Sequence, residues 1–466
     1  MHANIGPLPN TVAPIAKPRE RLISIPYLFL RATTAVCAFA TGFVQTFVFA
    51  RVLSPERFSI FIVIGAIGYT LWVTDLGLAK IVFVNLRAPH LENKPKEFAA
   101  RQATAVILFY VALALVASLV CFTVVLAQPS ATPRGAAELA LFLFYVAFNL
   151  VWFSLRSISI SVDLFVFYES LELVRRVVNM TTMLVMLAGL PFFAFLILTN
   201  VLWGALFTAA SVKLIQRGAL VPRLIGVPRD LLSFFELNWH SIARSGTGAL
   251  SGVFVSNFPY YIVPAVFGLG AAPIILEVTF RTFRGACAIF AAVCDLAIPG
   301  QTRALAERDA KRMMRTTLLV VALCCIPAAI GCGLLIFAGG PLFTFLLRTA
   351  ATVPPVLAPI LVVLLIAGVV QTVSDALLQY SGFFRSLAYS GAAVMIMMIL
   401  MTAVALVAKL DLMEFLTGYA AVYAMGAIFT AILAIRGPIH ATTANPQQHA
   451  MSGLVRMLRA RQAPPA

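Results

Sequence analysis

The chain contains twelve apolar runs that are each long enough to cross a lipid bilayer, and this feature restricts its fold more than any other. A transmembrane helix needs about 20 predominantly apolar residues, because each residue rises only about 1.5 Å. Of the 466 residues, 11% are charged, against about 25% in a soluble domain. The sequence therefore predicts an all-α polytopic membrane protein. The predicted spans are 28–50, 58–79, 103–127, 137–155, 165–189, 192–212, 237–262, 272–296, 316–338, 356–378, 388–408 and 413–435.

Three groups of helix-breaking residues separate neighbouring spans. Ser54-Pro55 lies in the first connection, Gly189-Leu190-Pro191 in the fifth, and Gly339-Gly340-Pro341 in the ninth. Glycine and proline in such groups favour turns over helix. We therefore predict a short loop at each of the three places.

The distribution of basic residues predicts the orientation of the chain. The sequence has 34 Lys and Arg against 18 Asp and Glu, a net charge of +16. Most of the basic residues fall in the segments 80–101, 213–229, 303–315 and 436–461, and such residues concentrate on the cytoplasmic side of a membrane. Both termini are therefore predicted to be cytoplasmic, which requires an even number of spans. The excess charge suits contact with anionic membrane lipids, and no basic face interleaved with aromatics points to nucleic acid.

The basic segment 213–229 divides the spans into two sets of six, a plan that many transporters share. We predict two six-helix lobes around a central cavity. The predicted segments are a cytoplasmic tail at 1–27, an N-lobe at 28–215, a cytoplasmic linker at 216–236, a C-lobe at 237–436 and a cytoplasmic tail at 437–466.

The two halves share local features that indicate an internal repeat. The segment 50–80 reads ARVLSPERFSIFIVIGAIGYTLWVTDLGLAK, and the segment 257–283 reads NFPYYIVPAVFGLGAAPIILEVTFRTF. Each half has a tight turn between its first two helices and a lone aspartate, Asp75 or Asp295, near the end of its second helix.

These segments resemble the polysaccharide-biosynthesis flippases, the Wzx-type O-antigen and exopolysaccharide members of the multidrug/oligosaccharidyl-lipid/polysaccharide exporter superfamily. Those proteins carry a Gly-Pro-Glu turn before a helix that ends in Asp-Leu-Gly, and the resemblance covers roughly residues 20–436. The chain departs from the pattern at Ser54, which replaces the glycine, and at Ser59, which replaces the aromatic-glycine pairing.

The resemblance implies a flippase that moves an undecaprenyl-diphosphate-linked oligosaccharide across the bacterial inner membrane by alternating access. The chain would be a monomer without a cofactor, and its product would pass to a polysaccharide polymerase and export machinery. The alternatives are a cation-coupled multidrug exporter of the same superfamily and an integral-membrane sugar or acyl transferase. The exporter would need an acidic cavity, and the transferase a catalytic His or Asp cluster, which the sequence does not show.

Arg281 and Arg284 are the main candidates for substrate binding. They lie near the middle of the eighth span and share a helical face with Glu277, four residues before Arg281. A charge at this depth costs about 2.5–3.5 kcal/mol, so it normally faces a partner or a wet cavity. One interpretation is an arginine pair that holds a diphosphate, with Glu277 tuning or releasing it. The other is a neutral Glu277–Arg pair with the second arginine reaching outward.

Two further arginines lie early in the first span of each lobe. Arg244 lies on a stripe of small and polar residues in the seventh span, which either lines the cavity or packs tightly against another helix. Arg31 either lines the cavity or extends to the cytoplasmic headgroups. Arg175 and Arg176, with Glu169 and Glu172, are predicted to form a neutral structural cluster.

Three aspartates are candidates for coupling or gating. Asp375, near Gln371 in the tenth span, would pair with an arginine, bind a coupling cation or make a structural hydrogen bond. Asp75 and Asp295 are predicted to be gate or cap residues at helix ends.

Common sequence motifs for catalysis and for metal binding are absent from the chain. There is no GxxxxGK[ST] loop, HExxH motif or GxSxG motif, and the seven cysteines fall in apolar runs without CxxC spacing. No enzyme activity, metal or cofactor is predicted.

Overall fold

A computed structural model describes residues 25–439, except for 92–93, 130, 223–225, 308, 349–350 and 382. Every regular element among these residues is helical. The helices are α1 (Ile25–Val52), α2 (Pro55–Thr70), α3 (Leu78–Leu91), α4 (Glu97–Leu126), α5 (Pro133–Ala147), α6 (Asn149–Ser161), α7 (Phe165–Val185), α8 (Phe192–Gln216), α9 (Val227–Asn257), α10 (Pro259–Phe267), α11 (Ala271–Glu307), α12 (Ala310–Leu347), α13 (Leu357–Tyr380), α14 (Phe384–Ala408) and α15 (Leu412–Ala434).

Each of the twelve predicted spans coincides with one helix or with two consecutive helices, and the protein is a multi-pass membrane protein. Ten helical stretches among the described residues are long and apolar enough to cross a membrane. Helices α7 and α11 complete the twelve, and they carry the charged clusters that form the candidate site. The predicted tails, 1–27 and 437–466, lie almost entirely outside the described residues.

Three spans are interrupted at positions that the hydropathy pattern does not mark. The second span changes from α2 through a 3-10 turn, Leu71–Asp75, into α3. Asp75 accepts hydrogen bonds from the backbone N–H groups of Gly77 and Ala79, so it caps the start of α3. The fourth span breaks between α5 and α6, and the seventh between α9 and α10, where Pro259 begins the new helix.

The predicted loop at Gly339-Gly340-Pro341 is wrong, because α12 continues through it to Leu347. A Gly-Gly-Pro group breaks helices in water, where freed backbone groups can bond to solvent. In a bilayer those groups have no solvent, so an apolar chain keeps its helical hydrogen bonds through such residues. The other two predicted turns are confirmed: Ser54 caps α2, and Gly189 adopts a left-handed conformation with φ of 104° before α8.

The helices form two lobes, α1–α8 and α9–α15, each with its own aromatic core. In the N-lobe, Phe61 lies 5.1 Å from Phe142 and 4.7 Å from Phe192 between ring centroids. In the C-lobe, the rings of Phe280 and Tyr419 lie 4.9 Å apart.

The lobes meet where α1 and α2 pack against α9–α12 and where α4 packs against α9. Gly285 of α11 allows a close approach there, since a Cβ atom at this position would lie 2.2 Å from the ring of Phe39 in α1. The face of the membrane where α1 begins, predicted to be cytoplasmic, is called the inner face below, and the opposite one the outer face.

Candidate functional site

A hydrogen-bonded group joins α10 to the first half of α11. Glu277 is 6% exposed and accepts hydrogen bonds from the Tyr260 hydroxyl at 2.6 Å and from Arg281 Nε. Arg284 Nη2 donates to the Tyr260 hydroxyl and lies 3.8 Å from Glu277 Oε2, the oxygen that Tyr260 also contacts. One carboxylate therefore serves two guanidinium groups, and the group carries one net positive charge.

Arg281 joins this group to the N-lobe. Its Nη1 donates to the carbonyl oxygen of Gly42 at 2.7 Å and to Gln45 Oε1 at 3.0 Å, both in α1. Its Nε is bonded to Glu277. Arg281 is thus held by partners on both lobes, and the proposed contact of this residue with a substrate remains a prediction.

Arg284 has fewer hydrogen bonds and faces the space between the lobes. Its side chain is 32% exposed, and its Cζ lies 5.5 Å from the centroid of the Tyr69 ring in α2. Tyr69 itself is 41% exposed. These two partly exposed side chains therefore approach each other across the lobe boundary.

The predicted neutral cluster on α7 forms only in part, because Arg175 and Arg176 pair with Glu172 but not with Glu169. Glu169 instead lies 3.3 Å from Arg31 and 3.8 Å from Arg156. Glu172 is left with two arginines: Arg175 donates to it through Nε and Nη2 at 2.7 and 2.6 Å, and Arg176 through Nε at 2.8 Å. Helical spacing allows both pairings, and only the position of α1 and α6 decides that Glu169 turns away.

The two arginines next to Glu172 have different surroundings. Arg175 also donates to Asn149 Oδ1 at 3.0 Å, and its Cζ stacks 4.2 Å from the Trp203 ring. Arg176 is 26% exposed and has Glu172 as its described hydrogen-bond partner. Arg176 on the N-lobe and Arg284 on the C-lobe are therefore the more exposed arginines of their pairs.

Sequence reasoning missed Tyr69, Arg156 and the separate role of Arg176. Tyr69 lies in an apolar span without a charged neighbour in its own helix, so no local pattern marked it. The local sequence balances two arginines with two glutamates, so it gave no signal for Arg176.

Arg31 bridges the lobes toward the inner face. Besides Glu169 of α7, its guanidinium lies 3.7 Å from Asp295 of α11. The side chain thus points to protein carboxylates. The side chain of Arg244 lies outside the described residues. On the same stripe, Ser251 is 3% exposed and packs against Gly391 of α14, which agrees with tight helix packing at that point.

The remaining candidate aspartates have local hydrogen bonds. Asp75, besides capping α3, accepts from the Tyr110 hydroxyl at 2.6 Å. Asp375 accepts from Gln371 Nε2 at 2.9 Å, while its Oδ1 is buried without a hydrogen-bond partner. Within the described part of the chain, no group of three or more His, Cys, Asp or Glu side chains is arranged to hold a metal ion.

No family model matches the sequence, and no curated protein matches it. Solved structures do match: a multidrug resistance MATE family transporter of the MOP superfamily in its inward-facing conformation has 11% identity and a TM-score of 0.64, with 89% of this chain and 99% of that chain covered.

Two further matches have known sources. A mutant of the MATE transporter VcmN of Vibrio cholerae has 15% identity and a TM-score of 0.63, covering 90% of this chain and 97% of that one. A MOP superfamily transporter of Pyrococcus furiosus has 10% identity and a TM-score of 0.58, with 90% and 96% covered, and is described as having a binding pocket of reverse polarity. The chain has the fold of the MOP superfamily transporters.

Proposed function

We propose that the chain transports an amphiphile with a diphosphate headgroup, an undecaprenyl-diphosphate-linked oligosaccharide, across the bacterial inner membrane by alternating access. The observation that carries the proposal is the excess of guanidinium over carboxylate groups in two clusters, one in each lobe. The cluster in each lobe has two arginines and one glutamate, so each cluster has one guanidinium charge in excess of its carboxylate.

The physical argument rests on the cost of these charges. An unpaired guanidinium at mid-depth is unfavourable by a few kcal/mol, and it is tolerated where a hydrated passage or an anionic ligand surrounds it. A diphosphate supplies several acceptor oxygens and two or more negative charges, which match the planar donor forks of Arg176 and Arg284. Because the two arginines belong to different lobes, a bound diphosphate would contact both of them only while the lobes are close.

A second candidate, a cation-coupled multidrug exporter, agrees better with the names of the matched structures. Identities of 10–16% establish the fold alone, so the local charge is the stronger guide to the substrate. One feature of the site does favour the exporter: the unpaired Oδ1 of Asp375, which is a suitable acceptor for a proton or a coupling cation. The experiment must therefore distinguish an anionic from a cationic substrate.

The full chain, in lipid nanodiscs, is titrated with farnesyl diphosphate and, separately, with the lipophilic cation tetraphenylphosphonium, and the melting temperature is recorded. A ligand that binds only the folded state stabilises it by about 2.7 kcal/mol at one hundred times its Kd. We expect farnesyl diphosphate to raise the melting temperature, and Arg284→Met or Arg176→Met to weaken its binding about tenfold or more. In cells, both variants should lower surface polysaccharide without loss of protein from the membrane.

Arg134→Ala is the matched control. Arg134 is an exposed cation on the outer face whose carboxylate partner, Glu138, lies in its own helix. Its removal changes the net charge equally but leaves the chamber intact, so binding should be unchanged. Stabilisation by tetraphenylphosphonium and not by farnesyl diphosphate would reject the proposal in favour of the exporter.

A further inference from the structure

Arg51, at the outer end of α1, is bonded across the lobe boundary to the end of α12. Its Nη1 donates to the carbonyl oxygen of Leu346 at 3.1 Å, and its Nη2 to that of Phe345 at 2.6 Å. Nη1 also donates to the carbonyl oxygen of Phe47, one turn back in α1, at 2.9 Å. The guanidinium lies 3.5 Å from the centroid of the Phe47 ring and 5.5 Å from that of Phe345.

The acceptors of Arg51 are backbone groups that a helix leaves unsatisfied. Helix α12 ends at Leu347, so the carbonyl groups of Phe345 and Leu346 belong to its last turn and have no partner within the helix. The same turn carries the negative end of the helix dipole, which favours a cation. The guanidinium therefore satisfies two acceptors of the C-lobe and complements their partial charge.

A second contact joins the lobes at the same face. Ser59 of α2 is fully buried, and its Oγ accepts from the backbone N–H of Gly270 at 3.0 Å and lies 2.8 Å from the Gly270 carbonyl oxygen. Gly270 lies in the turn before α11 with φ of 132°, a conformation that favours glycine. Ser59 thus holds the beginning of α11 while Arg51 holds the end of α12.

We infer that Arg51 and Ser59 form an outer latch that keeps the outer side of the chamber closed. The inference rests on transport by alternating access, in which the lobes must separate at the outer face to release a substrate there. The bonds of Arg51 to Phe345 and Leu346 and of Ser59 to Gly270 join the N-lobe to the C-lobe, so separation of the lobes breaks them together. The bond of Arg51 to Phe47 lies within α1 and orients the guanidinium toward α12. Opening exposes the freed carbonyl groups to water, which replaces part of the lost bonding.

The latch is tested by the distance between the lobes at the outer face. Spin labels are placed at Gln128→Cys, on the loop after α4, and at Thr352→Cys, after α12, in a cysteine-free background that keeps the wild-type melting temperature. Pulsed electron paramagnetic resonance of the full chain in nanodiscs then gives the populations of short and long distances. We expect Arg51→Ala to raise the ratio of open to closed molecules about tenfold, since it removes several hydrogen bonds of a charged donor.

Three further variants make the result specific. Ser59→Ala removes a smaller contact and should shift the ratio in the same direction. Arg51→Lys keeps the charge without the planar fork and should give an intermediate ratio. Arg134→Ala removes an outer-face cation that does not contact the C-lobe, and it should leave the distances unchanged.

The inference is overturned if Arg51→Ala and Ser59→Ala leave the distance distribution of the background unchanged, or if Arg134→Ala shifts it as much as Arg51→Ala does. The measurement needs no substrate. A failed latch is therefore distinguishable from a failed substrate assignment, which is decided by the ligand titration.

Discussion

Arg281 and Arg284 lie on one face of α11, three residues apart, yet their contacts assign them different tasks. Arg281 is bonded to Glu277 and to two groups of α1, while Arg284 keeps a third of its side chain exposed toward Tyr69. The first therefore contributes mainly to the stability of the lobe contact, and the second is available to a ligand.

Arg281→Met should destabilise the protein more than Arg284→Met does. Removing Arg281 breaks its bonds to Gly42 and Gln45 of α1 and weakens the neutralisation of buried Glu277, which costs on the order of 3 kcal/mol. The melting temperature of the purified variants provides the measurement. The double variant Glu277→Gln/Arg281→Met should not recover the loss, because Arg284 then has no carboxylate partner. Equal losses for Arg281→Met and Arg284→Met would contradict this division of roles.

At the residue scale, the sequence predicted contacts within a helix and missed those between helices. The spacing of Glu277 and Arg281 predicts their pairing, which the structure contains. The same rule misassigned Glu169, because its real partners, Arg31 and Arg156, come from α1 and α6. Partners that are distant in the sequence are fixed by helix packing, which a single sequence does not encode as a local pattern.

At the scale of elements, the twelve spans were predictable because a bilayer demands about 20 apolar residues from each. The breaks inside spans were not, since α9 and α10 form one apolar run that Pro259 interrupts. Close contacts between helices were also not predictable from the sequence. Gly426 of α15 packs so tightly against α14 that a Cβ atom would lie 2.4 Å from Val394 Cγ2.

Gly426→Ala should therefore destabilise the C-lobe by about 1–3 kcal/mol, the usual effect of overpacking. Gly340→Ala is the matched control, because Gly340 also lies within a helix and a Cβ atom there meets nothing within 4 Å. It should be neutral or slightly stabilising through helix propensity. Thermal unfolding compares the two, and the pair Gly426→Ala/Val394→Ala should regain stability. If Gly340→Ala were as harmful as Gly426→Ala, steric contact would not be the cause.

At the scale of the whole molecule, two lobes of six spans followed from the position of one basic segment, and the matched transporters agree with that plan. The chamber was predicted as cationic from its arginines alone. Which arginines border it was not predictable, because exposure depends on how the lobes meet: Tyr69 and Arg284 approach each other from helices more than 200 residues apart in the sequence.

The predicted orientation of the molecule in the membrane depends on the distribution of basic residues and not on the fold, so it needs a test of its own. Gln216, in the last turn of α8, and Gln128, after α4, are exposed glutamines at opposite faces. In the cysteine-free background, a membrane-impermeant maleimide should label Gln128→Cys in intact cells and Gln216→Cys only after permeabilisation. The reason is that the segment after Gln216 is rich in lysine and arginine, which remain in the cytoplasm. If Gln216→Cys were labelled in intact cells and Gln128→Cys were protected, the orientation in the membrane would be the opposite of the predicted one. The Arg51–Ser59 latch would then close the cytoplasmic side, and the proposed direction of transport would have to be reversed.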